Sequence, residues 1–398
     1  MPSEEYIVIR GSGSISPLGY HKAAVMTAYR SGKPGFQVKE FKEILTPVGA
    51  LPTEAEIALQ QLVNEKKAYQ SLDRSVLMAM LASRQAVIEA DWAGLSGIAV
   101  NIGSSRGATG LFEQYYQEFM QKGTVPAHTS PLTTLGNISS WVAQDLNLSG
   151  PSISHSVTCS TGLQALANGF AWLKAGMADK FIAGASEAPL TPFTIAQMKA
   201  IGIYATNTQL TYPCRPLNHE KHNTFVLGEG AAVFALEKVN RNQLKINNPK
   251  SVIVEAIGFG FEPISSKTGI SKEGDNFRLA MTDALQKAIT PEPVDLVIMH
   301  APGTVVGDSA EWQALNAVFK EAMPVITSSK WLTGHTLGAS SCLSVAFALH
   351  IFDNQNFLSF PYPTFIRNKH EAKKIKKIMI MAAGFGGNAA AILLSRPD

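Results

Sequence analysis

The chain carries one series of segments twice, and this constrains its fold more than any other feature. Each half opens with an apolar run into a Gly-x-Gly turn, Tyr6-Ile-Val-Ile-Arg-Gly-Ser-Gly13 and Val252-Ile-Val-Glu-Ala-Ile-Gly-Phe-Gly260. Each continues with a β-type run ending in small or polar residues, Ile98 to Ser104 and Leu296 to Gly303. A Ser/Thr/Gly-rich turn then feeds an apolar helix, Ser156 to Leu173 and Thr333 to Phe352. A strand ending in glycine closes each series, Lys180 to Ala185 and Lys377 to Gly384. A period this long excludes a solenoid. Strands alternating with apolar helices predict layered α/β structure. We divide the chain into residues 1–240, with the reactive cysteine, and 241–398, with the candidate histidines.

Composition agrees with a large buried core. The 398 residues are 45% hydrophobic and 16% charged, which excludes intrinsic disorder. A net charge of +3 gives no electrostatic basis for nucleic-acid binding. Three cysteines in this length exclude a disulfide scaffold and point to a reducing, cytoplasmic compartment. No apolar run is long enough to span a bilayer, and Met1-Pro2-Ser3-Glu4-Glu5 is unlike a signal peptide. Leu163, Leu166, Ala167, Phe170 and Leu173 have helical spacing, with Gly176 as the stop. The stretch from Phe225 to Leu236 reads as a strand. The more polar stretches 33–70 and 114–131 read as surface or dimer-contact excursions. Arg367, Lys369, Lys373, Lys374, Lys376 and Lys377 form the densest basic cluster, read as a solvated loop with carrier docking as the functional alternative.

Cys159 opens a helix from the turn Val157-Thr-Cys-Ser-Thr-Gly162. The positive end of the helix dipole and nearby N–H groups there favour a thiolate nucleophile. Cys214 and Cys342 read as packing residues. His300 ends a strand, where functional groups of α/β folds gather, and His335 begins the helix of the second half. Lys330 is placed to pair with a buried acid or to tune a histidine. The turn Gly384-Phe-Gly-Gly387 presents backbone N–H groups of the kind that build an oxyanion hole. No Cys-x-x-Cys, His-Glu-x-x-His or Gly-x-x-x-x-Gly-Lys pattern occurs, so neither a metal nor a nucleotide site is expected.

Taken together, these motifs resemble the β-ketoacyl-acyl carrier protein synthases of the thiolase superfamily, in the branch with a Cys-His-His site. The resemblance runs from Gly11-Ser-Gly-Ser-Ile-Ser-Pro-Leu-Gly19 to Gly384-Phe-Gly-Gly387. It implies a thiolase-like fold, two duplicated α/β halves in an αβαβα sandwich. It implies that Cys159 is acylated and that His300 and His335 assist decarboxylation of a malonyl thioester. Lys330 matches the family lysine. Cys159 and Phe385 would form the oxyanion hole, with Phe385 as gate. Arg106, Thr304, Gly386 and Gly387 would contact substrate. The implied partners are an acyl carrier protein, acyl and malonyl thioesters, and a second subunit in a homodimer or heterodimer. No cofactor is implied, because the carrier brings the phosphopantetheine arm.

The chain departs from the family pattern at several places. Pro302 stands where a threonine normally holds the pantetheine arm, and proline cannot donate that hydrogen bond. Ser344 replaces an acidic residue, Asn388 alters the closing motif, and Arg106 stands where an aliphatic side chain normally meets the acyl chain. These departures point to a specialised synthase for a short, unsaturated or aryl-type acyl group. The alternative is a non-catalytic subunit of the chain-length-factor kind. Such subunits typically lose the cysteine that is retained here.

Overall fold

The repeated segments become matched strands. A computed structural model describes residues 5–135, 137–247, 251–264, 271–366 and 374–396. Its main sheet has ten strands: β1 (Glu5–Ile15), β4 (Ala99–Gly103), β5 (Ser152–Ile153), β6 (Lys180–Glu187), β7 (Gly230–Asn240), β8 (Val252–Phe261), β9 (Leu296–Ile298), β10 (Val325–Thr327), β11 (Lys377–Gly384) and β12 (Asn388–Ser395). A separate hairpin pairs β2 (Phe36–Phe41) with β3 (Ile44–Gly49). Read outward from the middle, one half of the sheet runs β1-β7-β6-β4-β5 and the other β8-β12-β11-β9-β10. In each half the first three strands are antiparallel and the outer pairings parallel. The halves join where Ile7, Val8 and Ile9 of β1 pair with Val254, Ile253 and Val252 of β8.

Side chains alternate between two apolar layers, as strands buried on both faces require. Phe181, Ala183, Ile380 and Ile392 face a shared central layer, while Ile182, Met379, Met381 and Leu393 face outward. The central layer holds the matched helices Thr161–Lys174 and Ser340–Asn354, through Leu163, Leu166, Leu343 and Phe347. Helix Arg74–Glu89 covers the outer face of the first half. Helices Asp275–Gln286 and Val305–Phe319 cover that of the second. The result is the expected αβαβα layering. Helix Thr161–Lys174 ends as its sequence predicts, with Gly176 at φ +71.

Three local expectations change. The stretch from Phe225 is not strand throughout: β7 starts at Gly230, and the residues before it bridge to other segments, Phe225 to Tyr204, Leu227 to His335 and Gly228 to Gly49. Stretch 33–70 is not a mere surface excursion, because Val48 and Ala50 pack in one cluster with Cys159 and Leu337. Lys377 does not belong to a solvated loop. It is buried, pairs with Glu255 at 3.0 Å and donates to the Thr290 hydroxyl at 2.7 Å. Arg367, Lys369 and Lys373 of the same cluster lie outside the described residues. Among the described residues, no helix is long and apolar enough to cross a membrane.

Candidate active site

Cys159 follows Thr158, whose φ is +50, a left-handed conformation that turns the chain sharply into the helix. The Thr161 hydroxyl locks this turn by accepting the Val157 N–H at 2.9 Å and donating to the Thr158 carbonyl at 2.6 Å. The Gly384 turn lies directly against it. A Cβ on Gly384 would stand 1.8 Å from Thr158 Oγ1 and 3.0 Å from the Cys159 nitrogen. Strand β11 of one half therefore closes on the nucleophile of the other. The thiol itself differs from the expected thiolate. Burial pushes it up to about 12, and the Glu187 carboxylate adds to this against the Lys330 ammonium. Cys159 is only 9% exposed, and desolvation disfavours its charged form.

His300 lies just beyond β9, on a turn held by two buried acids. Glu311 accepts the N–H groups of His300 and Ala301, each at 2.7 Å. Asp308 accepts those of Gly303 at 3.2 Å, Thr304 at 3.1 Å and Leu217 at 2.8 Å. The Arg215-Pro216-Leu217 segment is thereby tied to the histidine turn. Pro302 follows His300 and lines the cavity.

His335 is fixed by the segment that forms no strand. Its N–H donates to the Val226 carbonyl at 2.7 Å, and its carbonyl accepts the Gly228 N–H at 3.0 Å. The Leu337 N–H donates to His335 Nδ1 at 3.0 Å. That bond occupies the Nδ1 lone pair, so the neutral ring carries its proton on Nε2. Burial, reinforced by the Lys330 ammonium, holds both histidines well below the ordinary value of 6.5. Both rings are neutral at physiological pH.

Lys330 is 1% exposed. Burial pulls its ammonium down, while Glu311, Cys214, Cys159 and Asp308 hold it up. Burial also raises Asp308, to about 7, and Glu311 in the same direction. Two backbone N–H groups together with the nearby Lys330 charge favour the ionised Glu311. Ser344, in place of an acid, shares a 2.8 Å hydrogen bond with Ser329.

A cavity of about 360 Å³ joins these groups. Cys159, His300, His335, Thr304, Phe385 and Gly387 line it. Phe385 is 42% exposed, as a residue at a mouth would be. Lys330 is not on the cavity wall, though its charge acts on both histidines. Two assignments move. Gly386 is absent from the wall; it turns the chain at φ +96 with nothing within 4 Å of its would-be side chain. Arg106 is absent as well, because its guanidinium turns to the Gln197 side-chain oxygen. Met198, Ile201, Ile203 and Leu337 form much of the apolar wall. Leu337 adjoins a recognisable motif. The other three sit in or just after an ordinary helix and carry no signal in the sequence.

Duplicated α/β halves in one αβαβα sandwich, one giving a cysteine and the other two neutral histidines to a common cavity, define the thiolase-fold condensing enzymes, acyltransferases that form carbon–carbon bonds. Family models narrow this further. The N-terminal domain of β-ketoacyl synthase matches residues 4–242 and the C-terminal domain residues 252–359. The chain belongs to the β-ketoacyl synthase family. It is 28% identical over 418 residues to 3-oxoacyl-[acyl-carrier-protein] synthase 2 of Staphylococcus aureus (strain COL), covering 100% of this chain and 99% of that protein. It is 30% identical over 416 residues to the Coxiella burnetii (strain RSA 493 / Nine Mile phase I) protein of the same name, covering 98% of each. Among solved structures it is similar to the ishigamide ketosynthase/chain length factor, with TM-score 0.85, 19% identity and full coverage of both chains. A β-ketoacyl synthase from Burkholderia phymatum STM815 superposes with TM-score 0.83 at 23% identity, over 99% of this chain and 100% of that one.

Proposed function

We propose that this protein is a 3-oxoacyl-[acyl-carrier-protein] synthase of fatty acid or polyketide synthesis, with the 1–240 half supplying the nucleophile and the 241–398 half the histidines. The observation that carries the reading is the shared cavity, which Cys159 and both neutral histidines line. Cys159 Sγ attacks the carbonyl of an acyl-carrier thioester, and the carrier thiol leaves with the proton. The Cys159 and Phe385 N–H groups receive the oxyanion. A malonyl thioester enters next and loses CO2. Neutral His335 donates its Nε2 proton to the thioester oxygen as a hydrogen bond, and His300 donates beside it. The enolate carbon then attacks the acyl-Cys159 carbonyl, the C–S bond breaks, and the thiol recovers a proton. The product is a carrier-bound 3-oxoacyl chain longer by the two carbons that malonate retains.

The partners on this reading are an acyl carrier protein and a second synthase subunit, in a cytoplasmic dimer. An apolar face on helix Thr109–Lys122, with Phe112 63% and Met120 66% exposed, supports a subunit contact. Intact-mass spectrometry with acyl-carrier proteins tests the function. We expect one acyl adduct, mapped to Cys159 and absent from Cys159→Ala, and release of CO2 from malonyl-carrier protein. Absence of both in folded protein would favour the non-catalytic subunit.

A further inference from the structure

The turn that carries Phe385 has little rigidity of its own. Gly384 and Asn388 pair at the facing ends of β11 and β12, and Gly386 and Gly387 between them have φ +96 and +82. Glycine loses more conformational freedom on ordering than any other residue. The turn is therefore held by its neighbours. The Glu262 N–H donates to the Gly387 carbonyl at 2.9 Å. The Phe385 carbonyl accepts the Asn388 side-chain NH2 at 3.0 Å and, more weakly, the Thr158 hydroxyl at 3.4 Å.

Asn388 is itself oriented from the other half. Ser160 follows Cys159 and precedes helix Thr161–Lys174, where a serine side chain ordinarily accepts a backbone N–H of the helix. It makes no such capping bond. Its buried hydroxyl meets Asn388 Oδ1 instead. The donor count fixes the direction. A carbonyl only accepts, so Asn388 presents its NH2 to Phe385 and its oxygen to Ser160, whose single proton is the donor. The Val157 carbonyl, 2.9 Å from the same hydroxyl, still receives the Ser160 N–H at 3.3 Å. Asn388 is absent from the cavity wall, so it acts through the turn and not on a substrate.

We propose that Asn388, oriented by Ser160, is a positioning residue that fixes the Phe385 turn against Cys159 for acyl transfer. Gly384, Phe385 and Gly387 of this turn line the cavity with the nucleophile. Without Asn388, the Phe385 carbonyl keeps only the weaker Thr158 contact, and the glycines let the Phe385 N–H drift from an oxygen it must meet. The role of that N–H rests on the synthase reading above; the clamp on the turn does not.

Two reactions of one thiol separate positioning from general damage. Acyl transfer from a carrier protein builds an oxyanion. Alkylation by iodoacetamide forms a C–S bond at a saturated carbon as iodide and the thiol proton leave, and it needs no oxyanion donor. Asn388→Ala should slow acyl transfer to Cys159 by about tenfold or more, with alkylation within about twofold of native, both read by intact mass. Ser160→Ala should show most of the same loss and serves if Asn388→Ala folds poorly. The double variant should fall no further than Asn388→Ala, because the pair acts as a unit. Unchanged acyl transfer in the folded variants would overturn the proposal, as would an equal fall in alkylation. Hydrogen–deuterium exchange over residues 384–388, which should quicken in both variants, needs no catalysis. If the native protein takes no acyl group from any carrier, the synthase reading fails and exchange decides the clamp. Faster exchange in the variants leaves it standing, and unchanged exchange removes it.

Discussion

The rings of His300 and His335 stand edge to face, 5.2 Å apart between centroids and 81° between planes. Each belongs to a different loop of the second half, yet both reach the cavity that Cys159 enters from the first. Two neutral donors converging on one space suit an oxygen that gains charge during reaction. His335→Ala should lower CO2 release from malonyl-carrier protein by about a hundredfold. Acylation of Cys159 should survive, so intact mass separates the two steps.

The same pair sets a pH profile. Both rings are held well below 6.5, so they stay neutral as pH falls through that value. Initial rates of decarboxylation should stay level to well below pH 6.5 before they drop. Lys330→Met removes the nearby ammonium that helps keep the rings neutral. Its profile should begin to fall at a higher pH than the native one.

Lys330→Met should also be costly to the fold. Glu311 and Asp308 are buried beside it, and removing the cation leaves carboxyl charge uncompensated. A loss of about 3 kcal/mol or more is expected in urea unfolding between pH 7 and 8, where the carboxyls are ionised and Lys330, pulled down to about 8 by burial, still carries its charge. The loss should shrink as pH falls and the carboxyls take up protons.

Glu187 supplies a second titration. Burial raises its carboxyl from 4.5 to about 7, so the folded state holds a proton there that the unfolded chain has released. Its contribution to stability is complete below pH 4.5 and is lost as pH rises through 7. Glu187→Gln has no such loss. Its stability relative to the native protein should climb across that window by up to about 3 kcal/mol, read from paired unfolding curves at several pH values.

Gly384→Ala tests the seam between the halves. The added Cβ would collide with Thr158 Oγ1 and press on the Cys159 nitrogen. Overpacking of this kind costs about 1–3 kcal/mol and moves the backbone. We expect a folded protein whose acyl transfer to Cys159 falls by about tenfold, a far larger effect than its shift in Tm.

The residues alone determined the duplication and the layered α/β class, and singled out Cys159, His300, His335 and Phe385, which the structure brings to one cavity. Each sits in a short motif whose small residues are demanded by local backbone geometry, and local geometry is written in adjacent residues. The helix from Thr161 and its stop at Gly176 were legible for the same reason. Tertiary structure decided what depends on neighbours distant in the chain. Arg106 left the cavity because Gln197, on another element, accepts its guanidinium. Lys377 left the surface because Glu255 and Thr290 enclose it. The stretch from Phe225 gave up strand pairing to hold the His335 turn. Cys159 became a thiol because desolvation across the assembled core outweighs the helix terminus beside it. Burial and pairing are set only when separated segments meet, and no spacing of residues along the chain encodes them directly.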